Sequence, residues 1–255
     1  MKDITLSAVI SVHNEEAQLA DCLDGLSFAD EIVVLLDKCT DGSGDIARKF
    51  TDHVIDGAWA VEGDRRNAGI EACRGQWIFE IDADERVPEE LGREIRTLIE
   101  TTAFDWHEIL VDNYIGSRLV RWGWGASFGK AAYPGLFKKG VKTWGNARVH
   151  PPLAWGPGAK KGPKLEHRIR HFVDRDISDM IRRLDNYSTA RAKDLKESGD
   201  IGGMANNVRR IFSRFFKCYV MRKGYREGGY GFLIALFAGL YPVLSHLKAK
   251  LEVDG

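Results

Sequence analysis

GQWIFEIDADERVPEE, running from Gly75 to Glu90, passes from apolar to acidic within a few residues. Gln76 to Ile81 is short, apolar and rich in β-branched and aromatic residues, with a turn signal in front. It reads as a buried strand. Asp82, Asp84 and Glu85 follow at once, and Pro88 opens a new helix at its first position. Carboxylates just past the carboxyl end of a buried strand lie where open α/β sheets form their ligand crevice. Asp82 and Asp84, one residue apart, are expected to point the same way off an extended backbone. Such a pair suits a hard divalent cation, Mg²⁺ or Mn²⁺, that also holds phosphate oxygens. The competing reading is a solvated acidic turn.

The rest of the chain has to supply the context. Its 255 residues, 44% hydrophobic, suffice for one large domain or one domain with an appendage. The formal net charge is zero, so bulk electrostatics give no case for nucleic acid. Cys22, Cys39, Cys73 and Cys218 show neither metal-type nor disulfide-type spacing, which fits a reducing compartment. The opening MKDITLSAVISVHNEE reads as a first strand rather than a signal peptide.

Ile4 to Val12 is that strand, with Asn14 capping a helix over Ala17 to Leu26. Glu31 to Leu36 is a second buried strand, ending at Asp37. A short helix (Asp45 to Phe50), a short strand (His53 to Ile55) and a helix over Glu62 to Cys73 lead to the strand before Asp82. This alternation predicts an α/β fold with a mostly parallel sheet flanked by helices. The polar strand ends, Asn14 with Glu15, Asp37 with Asp41, and Asp82 with Asp84, should gather along one sheet edge.

SAVISVHNEE, EIVVLLDKCTDGS and GDRRNAGIEACRGQWIFEIDADERVP, in this order, resemble the nucleotide-sugar half of family 2 glycosyltransferases of GT-A type. The nearest group resembles enzymes of lipopolysaccharide core biosynthesis. Ser11 and His13 depart from the family's usual Pro and aromatic residue. The resemblance implies that Asp37 accepts from the base or ribose, and that Asn14 and Glu15 also belong to the nucleotide-sugar site. Asp82 would contact ribose and metal, and Asp84 metal. One of Arg65 and Arg66 would neutralise the diphosphate, Arg being a planar fork for phosphate, and the other would lie at the surface. Each also has a bland reading: Asp37 as a turn residue, Asp41 as a helix cap, Glu15 as a partner of the helix dipole. Glu85 is either support for the metal site or the start of the next helix.

Beyond Ala103, Arg118 to Tyr133 interleaves Trp122 and Trp124 with glycines and basic residues. Together with Trp144 and Arg148 this run is expected to form an acceptor or sugar wall, since aromatic faces pack on sugar C–H surfaces. Ordinary aromatic core is the alternative. Where related enzymes carry a Glu after the His of KTWGNARVH, this chain has Pro151, so its general base is not where the family puts it. His150 is the leading candidate, as base or further metal ligand; Asp112, Glu166 and His167 are others.

Asp176 to Lys196 is a long amphipathic helix, and Gly199 to Gly203 a linker. Asn207 to Arg226 is basic and aromatic without an acid, and Tyr230 to Leu247 is almost wholly apolar, interrupted by Pro242. The pair reads as an interfacial anchor on an anionic leaflet, or as a helical cap packed on the protein. The expected organisation is a GT-A-like domain over residues 1–175 (a nucleotide-sugar half, 1–102, and an acceptor-side half, 103–175) and a helical membrane-surface region over 176–255. The implied activity is metal-dependent, inverting transfer from a nucleoside-diphosphate sugar, UDP-linked, to a hydroxyl of a glycolipid in lipopolysaccharide core. The implied place is the cytoplasmic face of the bacterial inner membrane. A catalytically inactive sugar-nucleotide-binding scaffold is the alternative raised by Pro151. A phosphatase with an Asp nucleophile is disfavoured, because its acid pair belongs on the first strand.

Overall fold

The computed structural model describes residues 4–148 and 151–252. In chain order the elements are β1 (Leu6–Val12), α1 (Leu19–Asp24), β2 (Glu31–Asp37), α2 (Ser43–Phe50), β3 (Val54–Gly57), α3 (Glu62–Ala72), β4 (Trp77–Asp82), β5 (Glu85–Arg86) and α4 (Glu89–Thr101). There follow β6 (Trp106–Ile115), β7 (Arg118–Val120), β8 (Ala132–Lys138), β9 (Lys142–Trp144), β10 (Leu153–Trp155) and β11 (Arg168–Asp174). Three helices close the chain, α5 (Ile177–Ser198), α6 (Met204–Phe216) and α7 (Gly229–Leu251), with a π turn (Lys217–Met221) and a short 3-10 turn (Gly224–Glu227) before the last. Contacts divide the chain into two compact units. The first holds the described residues up to Val111 with Ala132–Ala147 and Pro151–His171; the second holds Asp112–Ala131, Arg148 and the described residues from Phe172 onward.

In the first unit β2, β1 and β4 lie side by side and parallel, with β3 outside β2. Each parallel step is bridged by a helix, as parallel strands require. Past α4, among the described residues, no helix intervenes between β6 and β11, and β8 pairs antiparallel with both β4 and β6. The sheet is therefore mixed, and parallel only where the chain crosses over.

The alternation along β1 divides the core. Leu6, Ala8, Ile10 and Val12 pack with Leu19, Leu23 and Leu26 of the α1 region and Leu91 and Ile95 of α4. Val9, from the other face, packs with Val33, Leu35, Ile78 and Ile70 of α3. Burial on both faces is why β1, β2 and β4 read as unbroken apolar runs. Gly69 lets α3 lie this close, since a Cβ there would sit 2.6 Å from a Leu35 methyl and 2.7 Å from one of Val9.

Register aligns the strand ends. Ser11 pairs with both Leu35 and Asp82, and Asp37 pairs with Gly57, so the chain leaves β1, β2 and β4 at one edge. α1 is shorter than the sequence suggests and is not capped by Asn14, which takes a left-handed φ of 56° instead.

In the second unit α5 starts at Asp176, whose side chain accepts from the Asp179 N–H at 2.8 Å, and stops at Gly199 with φ 71°. These are ordinary start and stop signals. Met180 and Leu184 of α5 and Ile234, Ala235, Ala238 and Tyr241 of α7 bury a core with Trp124, Phe128 and Cys218. Pro242, inside α7, cannot donate to the Ala238 carbonyl. Arg214 of α6 supplies a replacement, with Nη1 at 3.5 Å from that oxygen and 2.8 Å from the Ala126 carbonyl. The apolar run expected at Tyr230 to Leu247 lies within α7, which gives Ile234, Ala235, Phe237, Ala238 and Tyr241 to the core of this unit.

Candidate active site

The loop after β1 and the loop after β2 are tied together by backbone and side chain. Asn14 Oδ1 accepts from the Thr40 N–H at 2.8 Å, and His13 Nδ1 donates to the Asp37 carbonyl at 2.6 Å. The Glu16 N–H donates to Asp41 at 3.0 Å, and Glu16 Oε2 accepts from the Gly42 N–H at 2.7 Å. Ser43 Oγ accepts from the Glu15 N–H at 2.9 Å. Asn14 is therefore a clamp between strand ends, a role its left-handed backbone suits. Glu15, held by Gln18 Nε2 at 2.8 Å, has its pKa raised by burial, with the negative charges of Asp84 and Asp41 adding to the effect.

At the end of β2, Asp37 accepts from the Trp59 N–H and from Arg65 Nη1, each at 3.1 Å. Its neighbour on α3 is used quite differently. Arg66 reaches Glu62 at 2.7 Å, Glu80 at 2.7 Å and Asp82 at 3.0 Å, and its guanidinium lies 5.1 Å from the centre of the Trp144 ring. Neither arginine is at the surface, contrary to the expectation for one of them: their side chains are 18% and 15% exposed. Arg66 is neutralised by three carboxylates, whereas Arg65 Nε is buried with no hydrogen-bond partner.

Glu80 shares a face of β4 with Asp82, two residues on, and was not singled out in the sequence. It accepts from Lys142 Nζ at 2.6 Å and Trp144 Nε1 at 3.2 Å, with Lys142 wholly buried. Burial pushes the Glu80 carboxyl upward, but Lys142 and Arg66 outweigh it and hold the group below the usual range. Asn67 completes the network, donating to the Trp144 carbonyl at 2.8 Å and accepting from its N–H at 2.9 Å. The Arg-Arg-Asn run on α3 thus organises the far wall of the site. A charged residue inside an apolar strand, here Glu80, was the available signal.

The acids beyond β4 do not follow an extended backbone. Ala83 and Asp84 form a turn, so Asp82 and Asp84 take different partners. Asp82 Oδ1 accepts from Arg66. Asp84 Oδ2 lies 3.1 Å from His171 Nε2, while Asp84 Oδ1 is buried with no hydrogen-bond partner. β5 pairs antiparallel with β11, His171 opposite Glu85, and this brings the histidine to the acid. Glu85 starts no helix; fully buried, it accepts from the Asp82 N–H at 3.0 Å and the Tyr133 hydroxyl at 3.3 Å. Among the described residues no group of three or more His, Cys, Asp or Glu side chains is arranged to hold a metal.

The remaining candidates separate. His150 lies outside the described residues. His167 pairs with Glu94 at 2.9 Å, and Asp112 with Arg121 at 2.9 Å, which leaves both in exposed ion pairs. The wall expected from Trp122, Trp124, Trp144 and Arg148 is corrected. Trp124 is 2% exposed, donates to the Val120 carbonyl at 2.5 Å and belongs to the core of the second unit. Gly129, at φ 87°, makes room for it, since a Cβ there would lie 2.3 Å from the indole. Arg148 is engaged by Asp194 at 3.0 Å and Glu197 at 2.6 Å. Trp122 lies against Lys223 and Arg226, at 5.3 and 5.4 Å from its ring. Trp144 belongs to the first unit.

Comparison with known proteins gives a consistent pattern. The model of glycosyl transferase family 2 matches residues 7–151. The lipopolysaccharide core biosynthesis glycosyltransferase LpsC of Rhizobium meliloti (strain 1021) is 24% identical, over 98% of this chain and 97% of its own length. An uncharacterized glycosyltransferase of Rickettsia felis is 23% identical, over 96% of this chain and 89% of its own. Among solved structures, S. aureus TarS 1-349 superposes with a TM-score of 0.48 at 13% identity, covering 94% of this chain and 81% of that one. Glucosyl-3-phosphoglycerate synthase from Mycobacterium tuberculosis, in complex with Mn²⁺ and UDP-glucose, superposes with a TM-score of 0.37 at 21% identity over 44% of each chain.

Proposed function

This chain belongs to glycosyl transferase family 2 and is a glycosyltransferase, and from that premise we propose that it moves a sugar from a nucleoside-diphosphate donor, UDP-linked, to a hydroxyl of a lipopolysaccharide-core glycolipid at a membrane surface. The observation that carries the donor side is the state of Asp84. A buried carboxylate oxygen without a partner is costly unless a cation or donor completes it. Here it stands beside a histidine nitrogen at the carboxyl edge of the sheet, so the residues present fit Mg²⁺ or Mn²⁺.

In this reading Asp84 and His171 hold the ion. When bound, a divalent cation supplies Lewis-acid stabilisation of the charge on the departing nucleoside diphosphate. Asp37 accepts from the base or ribose. Arg65, whose Nε is unpartnered, faces the diphosphate, and Arg66 holds Asp82 in place toward the ribose. Glu85 fixes the backbone at Asp82 through its N–H. Asn14 and Glu15 shape the donor pocket from the β1 side. The resemblance to the family supports a single inverting displacement, in which the acceptor hydroxyl loses its proton as it attacks the anomeric carbon. We assign that proton to His150; His150→Gln is expected to lower kcat and leave nucleotide affinity unchanged. The acceptor assignment is supported by the name of the Rhizobium relative and by the basic, apolar C-terminal surface.

The test is calorimetric binding of UDP, and then GDP, with and without Mn²⁺, to the wild type and to Asp84→Ala. Metal-dependent binding of UDP, lost in the variant, is the expected result. Binding that ignores both metal and Asp84 would overturn the assignment of the cation site.

A further inference from the structure

The second unit carries a surface that donor chemistry does not use. α6 and the π turn after it run from Met204 to Met221. Met204, Val208, Phe212 and Phe216 recur at four-residue steps, which puts them in one row along the helix. Val220 and Met221 extend that row. All six are exposed, Phe212 to 71%, Met221 to 66% and Phe216 to 56%. The inward side of the same segment buries Asn207 and Cys218 and packs Phe215 and Tyr219 on the core. A continuous row of large apolar side chains left in water marks an interaction surface.

Its charge identifies the partner. No Asp or Glu occurs between Asp200 and Glu227, while Arg209, Arg210, Lys217, Lys223 and Arg226 are exposed around the row. A second copy of this chain would bring the same cations against one another. α7, the longer and more apolar helix, has Ile234, Ala235, Ala238 and Tyr241 committed to the core.

We propose that the Met204–Met221 face docks the protein in the plane of an anionic phospholipid leaflet. Phe212, Phe216 and Met221 enter the boundary between headgroups and acyl chains, and Arg209, Arg210 and Lys217 pair with lipid phosphates. α7 stays inside the protein. This deepens the glycolipid-acceptor reading: a helix lying in the interface presents the protein to an acceptor anchored in the same leaflet.

Flotation of the full chain with phosphatidylglycerol–phosphatidylcholine vesicles, and with phosphatidylcholine alone, tests it. The wild type is expected to float with the anionic vesicles and to lose binding as salt rises. Phe212→Ser with Phe216→Ser should weaken partition by at least about tenfold, as expected for removing two inserted rings. Arg209→Gln, Arg210→Gln and Lys217→Gln together should abolish the preference for anionic vesicles. Circular dichroism and nucleotide binding, unchanged in these variants, establish that they fold. Asp84→Ala should float like the wild type, so failure of the cation site and failure of the docking face are read separately. Absent flotation of the wild type, or equal flotation of the Phe variant, would overturn the proposal. So would a dimer that dissociates on Phe212→Ser and Phe216→Ser without any vesicle binding.

Discussion

His171 Nε2 lies 3.1 Å from Asp84 Oδ2, although 87 residues separate them in the chain. The two-residue strand β5 makes the meeting possible, because its pairing with β11 fixes His171 opposite Glu85, next to the acid. Without a cation, a ring N–H donating to Asp84 satisfies one oxygen and leaves the other bare. In the proposed site the neutral imidazole and the carboxylate would hold a divalent cation together.

His171→Ala is therefore expected to weaken Mn²⁺-supported nucleotide binding by at least about tenfold, the lower end for disturbing a metal site. Binding without metal should hardly change. Calorimetry at matched nucleotide concentrations checks this, and equal metal dependence in variant and wild type would remove His171 from the site.

The adjacent arginines separate stability from binding. Arg66 is the shared cation of Glu62, Glu80 and Asp82. Arg66→Met leaves those acids buried against one another, and a loss of about 3–5 kcal/mol is expected for breaking such a network. Arg65 pairs with Asp37 at 3.1 Å, its one ion pair among the described residues. Arg65→Met should cost no more than about 1.5 kcal/mol of stability while weakening nucleotide affinity about tenfold. Denaturant unfolding beside nucleotide titration distinguishes them. The opposite ranking would return the diphosphate to Arg66.

The sequence made the donor side legible because strand periodicity and strand-end chemistry are local. β1, β2 and β4, and the gathering of Asn14, Asp37 and Asp82 at one edge, follow from apolar runs that stop at polar residues. The pairing of Glu80 with Lys142 was not legible, because it depends on the chain returning along β8 beside β4 before it reaches β9. His171 was missed for the same reason: nothing near it signals that β11 lies beside β5. Trp124 misled because a glycine-rich aromatic run looks alike whether its glycines admit a sugar or, as Gly129 does, admit the indole itself. Which C-terminal helix is covered was not legible, since hydropathy ranks α7 above α6 and only packing shows which of them contributes to the core.

Acid stability provides a test far from the site. Glu31 is 6% exposed and accepts from Ser7 Oγ at 2.5 Å, the Arg74 N–H at 2.8 Å, Arg74 Nε at 2.7 Å and His53 Nδ1 at 3.1 Å. Burial alone would raise its pKa; these bonds outweigh it and bring the group from 4.5 to about 2. A depressed carboxylate contributes stability that is complete above its ordinary pKa and is lost as pH falls toward the folded value. The window is thus pH 4.5 to 2, and the contribution is about 3 kcal/mol. Glu31→Gln should be less stable than the wild type at neutral pH and should lose less stability across that window. Parallel pH profiles of the urea midpoint for the two proteins would contradict this.

The two tryptophans of the Trp122-Gly-Trp-Gly125 run should behave oppositely. Trp124 is 2% exposed, packs with Phe128 and Ile234 and spends its N–H on the Val120 carbonyl. Trp124→Ala removes a large buried ring and should cost about 3–5 kcal/mol. Trp122 keeps its ring under Lys223 and Arg226, where a cation–π pair is worth about 0.5–1 kcal/mol at an exposed position, so Trp122→Ala should lower stability by only about that much. Urea unfolding monitored by circular dichroism gives both numbers without relying on indole fluorescence. If Trp124 were instead a sugar-stacking residue, its replacement would raise the acceptor KM at unchanged stability, and that pattern would restore the wall the sequence suggested.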